Sequence, residues 1–122
     1  MSESKSYKQS ATITGINEAL PIVQDSITSK VPLENDVFQL TLFSFDKDQG
    51  LSTHTSTKAV ILTLLSGSME FILDGIKYEI TSGDSIYISP NTPHSLKAKS
   101  ASRMQLIMIN VWKDINKWNI NV

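Results

Sequence analysis

Between Asp46 and His94 the chain is cut at short, regular intervals by turn-forming clusters: DKDQG, then Ser66–Gly67, Asp74–Gly75, the glycine at 83 and SPNTP. Between the turns lie short apolar runs, AVILTLLS, SMEFIL, IKYEI and SIYIS, rich in β-branched and aromatic residues. Strand, turn, strand repeating about every eight to twelve residues specifies a sandwich or barrel of antiparallel strands rather than a helical fold. Asp74–Gly75 is the strongest of these signals, because Asp-Gly supplies the positive backbone angles that a two-residue hairpin turn demands.

The flanking segments extend the pattern. In VFQLTLFSF, Phe38, Leu40 and Leu42 alternate with Gln39, Thr41 and Phe43, the period of a strand. MQLIMINVW reads as the last long strand. Upstream, NEAL allows one helical turn before Pro21, and SITSKVPL reads as an edge strand closed by Pro32. The boundaries expected are a mobile polar tail over 1–10, a covering segment with an edge strand over 11–35, a barrel core over 36–112 and a tail over 113–122. In that last tail, Trp112, Ile115 and Trp118 recur every third residue and fit a closing helical turn.

Size and charge narrow the function classes. The chain has 122 residues, 40% hydrophobic and 19% charged, enough for one core and too few for two ordinary domains. A net charge of -1, and a single arginine at Arg103, argue against nucleic acid or an anionic membrane as partner. No run approaches 18 apolar residues and MSESKSYKQS precedes no signal-like segment, so a soluble cytoplasmic protein is expected. There is no cysteine, so a metal here would rely on nitrogen and oxygen donors.

The two histidines, His54 and His94, sit in two spaced motifs. In the first, Asp48, His54, Ser56, Val60 and Gly67 follow the spacing glycine, five residues, His-x-His, three residues, glutamate, six residues, glycine. In the second, Gly75, Gly83, Asp84, Pro90, Pro93 and His94 follow glycine, P-x-G-D, a strand, a proline-rich turn and histidine, with Thr81 and Ala98 at the remaining positions. From Asp48 to Ala98 the chain thus resembles the cupin superfamily. The resemblance implies an all-β fold, a single-domain double-stranded β-helix or jelly-roll-like barrel with little helix. It also implies a homodimer, with the N-terminal strand or Trp112 and Trp118 at the interface.

In that family two histidines two apart on a strand face the barrel interior, and a glutamate and a third histidine complete a site for Mn, Fe, Ni or Zn. Here Ser56 stands at the second histidine and Val60 at the glutamate, so His54 and His94 are the metal ligands that remain. A serine hydroxyl is a poor ligand for such ions and valine is none. The expectation is therefore a pocket of His54, Ser56, Val60 and His94 that binds a small molecule without a tightly bound physiological metal. Each residue also has a plain structural reading: a hydrogen-bonded histidine in a polar cavity, a small filler at Ser56, a core valine, and a turn-forming Asp84. Tyr78 and Tyr87 read as rim residues, and Met69, Met104 and Met108 as adaptable core or the lining of an apolar ligand's site.

Three functions stay open: a small-molecule-binding module, a metal-dependent dioxygenase or isomerase using His54 and His94, and a metal-free epimerase-like enzyme with histidine base and tyrosine acid. The last requires a carboxylate to orient a histidine.

Overall fold

A computed structural model describes residues 4–111. Ten strands and one helical turn follow in order: β1 (Ser4–Lys5), α1 (Ile16–Ala19), β2 (Ile27–Asn35), β3 (Phe38–Phe45), β4 (Gly50–His54), β5 (Ala59–Ser66), β6 (Ser68–Leu73), β7 (Ile76–Thr81), β8 (Ser85–Ile88), β9 (His94–Ala98) and β10 (Ser102–Ile109). They form a six-stranded sheet in the order β1-β2-β3-β10-β5-β8 and a four-stranded sheet in the order β4-β9-β6-β7. All pairings are antiparallel except the short parallel contact of β1 with β2. The architecture is the all-β barrel that the turn spacing implies. Among the described residues no helix is long and apolar enough to cross a membrane.

Local chemistry accounts for most of the joints. Asp74 and Gly75 take φ of 49° and 84°, both left-handed, and join β6 to β7 in a two-residue hairpin. Asp48, at the motif position that favours glycine, also has positive φ, 72°, a conformation that aspartate tolerates better than most residues. Asp84 shapes the turn before β8, its carboxylate accepting from the Thr81 amide at 2.8 Å.

Pro32 does not close its strand. β2 runs on to Asn35, and the register with β3 shifts between Lys30 and Leu33, so the irregularity absorbs the missing amide donor. β1 draws two residues of the polar N-terminus into the sheet beside Glu34 and Asn35. The run HSLKA, which no sequence pattern marks as a strand, is strand β9, central in the small sheet between β4 and β6. The Trp112, Ile115 and Trp118 repeat lies outside the described residues.

The main core fills the space between the sheets. Phe45, Leu62, Leu64, Met69, Phe71 and Met104 are all buried there, with Val60, Ile80 and Ile88. A second cluster lies on the outer face of the large sheet, where Leu20 packs with Leu40 and Leu42 against Ile13, Ile16 and Leu33. Residues of β3 are therefore covered on both faces. Arg103 fastens the covering segment: its Nε donates to the Leu20 carbonyl at 2.9 Å. A charged donor on a backbone acceptor stabilises by roughly 1.5–3 kcal/mol.

Candidate functional site

β4 ends at His54 and β9 begins at His94, and the antiparallel register sets these two residues directly opposite each other. Cross-strand partners project to the same face, so the two rings meet, with centroids 4.2 Å apart and planes tilted by 60°. His94 is buried and His54 exposed, so the pair spans from the barrel interior to its mouth. Behind His94 the ring of Phe71, itself fully buried, stacks at 6.1 Å and 11°.

Each imidazole is held by the carbonyl two residues before it. His54 Nδ1 donates to the Ser52 carbonyl at 2.7 Å, and His94 Nδ1 donates to the Thr92 carbonyl at 2.8 Å. A carbonyl can only accept, so in each neutral ring the proton resides on Nδ1 and the lone pair on Nε2. Among the described residues neither Nε2 has a hydrogen-bond partner, and no buried side-chain nitrogen or oxygen is orphaned. Each ring thus keeps an Nε2 lone pair without a protein partner among the described residues.

The rings border a cavity of about 60 Å³ between the sheets, shared with Ser56, Val60, Met104 and Met108. The four residues singled out from the sequence are brought together here. The strand geometry expected for Ser56 is not: β4 stops at His54, and Ser56 sits in the following loop. Its hydroxyl accepts from the Lys58 amide at 3.1 Å and its carbonyl accepts from the Asn91 amide at 2.7 Å. Val60 is buried, facing Met108 across the β5–β10 register. Met104 and Met108, expected as core or apolar lining, both border the cavity. Their period-two spacing, Met104, Leu106, Met108, is the signal that sends them inward.

Side chains fill most of the barrel. A cavity of about 60 Å³ lies well below the roughly 300–1,000 Å³ of ordinary ligand pockets, because leucine and methionine side chains occupy the interior. Among the described residues no carboxylate or lysine lines it. A wider hollow of about 350 Å³ opens between the edge strands β7 and β8, lined by Tyr78, Tyr87, Glu79 and Asp84, and shares no residue with the histidine cavity. Both tyrosines are exposed, as rim residues would be.

The family's divalent metal finds few donors here. Among the described residues no group of three histidine, cysteine, aspartate or glutamate side chains could hold a metal ion. Two imidazoles beside Val60 supply half of the expected set and no negative charge. The residues do not fit a tightly held Mn, Fe, Ni or Zn ion.

The comparisons with known proteins agree with the fold. A segment of 67 residues, 53% of this chain, is 39% identical to quercetin 2,3-dioxygenase of Bacillus subtilis (strain 168). The match spans 20% of that enzyme. A conserved protein of unknown function from Streptococcus pyogenes superposes with a TM-score of 0.76 at 28% identity, over 85% of this chain and 91% of that one. A cupin superfamily protein from Desulfitobacterium hafniense DCB-2 superposes with a TM-score of 0.75 at 16% identity, over 84% and 94% of the two chains. The model of the cupin domain matches residues 41–110, which includes both histidines and every strand from β4 to β10, and the chain belongs to that family.

Proposed function

We propose that this cupin binds a small molecule at the mouth of the barrel, where His54 and His94 meet, without a tightly bound divalent metal. The observation that carries the reading is that the two imidazoles line one cavity, each fixed by its Nδ1 bond to a backbone carbonyl, which leaves Nε2 as the free acceptor. Two acceptors on rings 4.2 Å apart suit a ligand that presents two hydrogen-bond donors, such as adjacent hydroxyl groups. The interior of about 60 Å³ admits only the head of such a ligand, and its remainder lies at the mouth beside exposed His54.

Titration of the protein with catechol and with aliphatic diols, followed through the imidazole 15N resonances, tests this. Saturable shifts at both rings, abolished in His94→Ala, are expected. Rings indifferent to every donor-bearing probe would count against the reading.

A second reading is a metal-dependent dioxygenase, favoured by the segment shared with the Bacillus subtilis enzyme. Near-stoichiometric iron or manganese in protein produced in metal-supplemented medium would support it. The epimerase-like alternative loses its orienting group, since both histidines are held by carbonyls rather than carboxylates.

A further inference from the structure

We propose that the edge strand β7 pairs with β7 of a second copy of this chain across a two-fold axis at Tyr78, joining the two four-stranded sheets into one. The hollow beside β7 shares no residue with the histidine cavity, so the inference does not depend on the ligand reading.

β7 is the last strand of the small sheet, and among the described residues no strand pairs with its outer edge. The two-residue hairpin makes Leu73 and Ile76 the closing hydrogen-bonded pair with β6, and along an antiparallel ladder such pairs alternate with non-bonded ones. Ile76, Tyr78 and Ile80 therefore direct their amides and carbonyls to β6. Lys77, Glu79 and Thr81 direct theirs to the open side. Thr81 bears this out: its amide donates to Asp84 Oδ2 at 2.8 Å, and its carbonyl accepts from the Asp84 amide at 3.0 Å. Lys77 and Glu79 each keep an amide and a carbonyl on the open side, a template for another strand.

The sequence of the strand selects its own copy. Ile76-Lys77-Tyr78-Glu79-Ile80 reads apolar, basic, aromatic, acidic, apolar, and a two-fold axis at Tyr78 sets each residue opposite its complement. Lys77 meets Glu79 of the second copy, and Glu79 meets its Lys77, in pairs that also exchange both backbone bonds. Moving the axis by one residue would set Lys77 against Lys77 or Glu79 against Glu79, so charge fixes the register. Lysine on an edge normally discourages pairing, and the carboxylate opposite it here removes that guard. Within one chain Glu79 stands opposite Glu70, a like-charge pair bridged by Lys77, 3.1 Å from Glu70, and by Lys99, 3.4 Å from Glu79. A lysine on the free side of Glu79 completes the alternation of charge. On the other face, Ile76 and Tyr78 are 58% and 44% exposed although they share the parity of buried Ile80. In the pairing Ile76 lies opposite Ile80 of the second copy and the two Tyr78 side chains meet on the axis, so both are covered.

A single strand-to-strand contact lies at the small end of specific interfaces, so the dimer is reversible. The test is sedimentation velocity of the whole chain over a range of concentrations. The parent is expected to dimerise. Lys77→Glu and Glu79→Lys, at exposed positions and melting like the parent, are each expected to weaken the dimer roughly tenfold or more, because each sets like charges opposite one another. An equimolar mixture of the two variants is expected to restore association, since glutamates of one then face lysines of the other. The chain has no cysteine, so one introduced thiol reports position. Non-bonded antiparallel pairs hold their Cα atoms about 4.5 Å apart, within disulfide reach. Tyr78→Cys should therefore oxidise to a covalent dimer faster than Tyr87→Cys, although Tyr87 is the more exposed, at 60%.

A chain that stays monomeric at every concentration overturns the proposal. So does a dimer that both charge reversals leave intact, which would put the contact elsewhere, as at the N-terminal strand. A mixture of the two variants no more associated than either alone, or Tyr78→Cys cross-linking no faster than Tyr87→Cys, overturns it as well.

Discussion

The imidazoles of His54 and His94 face each other at 4.2 Å, and each is tied through Nδ1 to the carbonyl of the residue two positions before it. The same local hydrogen bond, made on two strands brought into register, tethers two neighbouring rings and leaves each with an unpaired Nε2. Neither ring needs a carboxylate to achieve this.

That arrangement predicts one tautomer for both rings. In long-range 1H–15N correlation spectra at a pH where both rings are neutral, His54 and His94 should show protonated Nδ1 and unprotonated Nε2. A dominant Nε2–H form at either ring would contradict the hydrogen bonds described here.

Restoring the missing donors should restore divalent binding. Val60 is buried opposite Met108, so Val60→Glu with Ser56→His places a carboxylate where nothing compensates it, costing about 3 kcal/mol or more without metal. Ni or Mn should then raise the melting temperature of the double variant and leave that of the parent unmoved. Since Ser56 lies in a loop, Val60→Glu is expected to contribute more of the gain. A double variant that folds but ignores both metals would mean that residue 60 is not directed at the histidines.

Phe71 supports the site as well as the core. It is fully buried and stacks on His94, so Phe71→Ala should lose about 3–5 kcal/mol in denaturant unfolding. The freed His94 ring should also show broadened resonances while its backbone amide stays in place. Stability loss with an unchanged ring signal would assign Phe71 to packing alone.

Two glycines with similar backbone angles separate strain from crowding. Gly75, φ 84°, has open space where a Cβ would go, and Gly75→Ala should cost about 1–2 kcal/mol through backbone strain. Gly67, φ 91°, would press its Cβ against the Ala101 carbonyl and Ser102, whose Cα lies 2.8 Å away. Gly67→Ala should therefore cost about 3 kcal/mol or more. Equal unfolding free energies for the two variants would show that the β9–β10 turn yields to the added methyl.

Whatever depends on neighbours along the chain is legible in the residues themselves. Period-two alternation in β3, the apolar runs of β5 and β10, the Asp74–Gly75 hairpin and the histidine spacing are all local along the chain, and they suffice for an all-β barrel of the cupin family. β9 escaped because its five residues include two charged or polar outward positions and follow a proline-rich turn, so no apolar run marks it. Assembly of the two sheets decided that His54 lies opposite His94, forty positions away, and that Met108 lies opposite Val60. It also decided that leucine and methionine side chains leave a cavity of about 60 Å³ rather than a ligand-sized one. Register and cavity volume come from how side chains of two sheets fill one space, and that packing is a property of the whole core rather than of any segment of it.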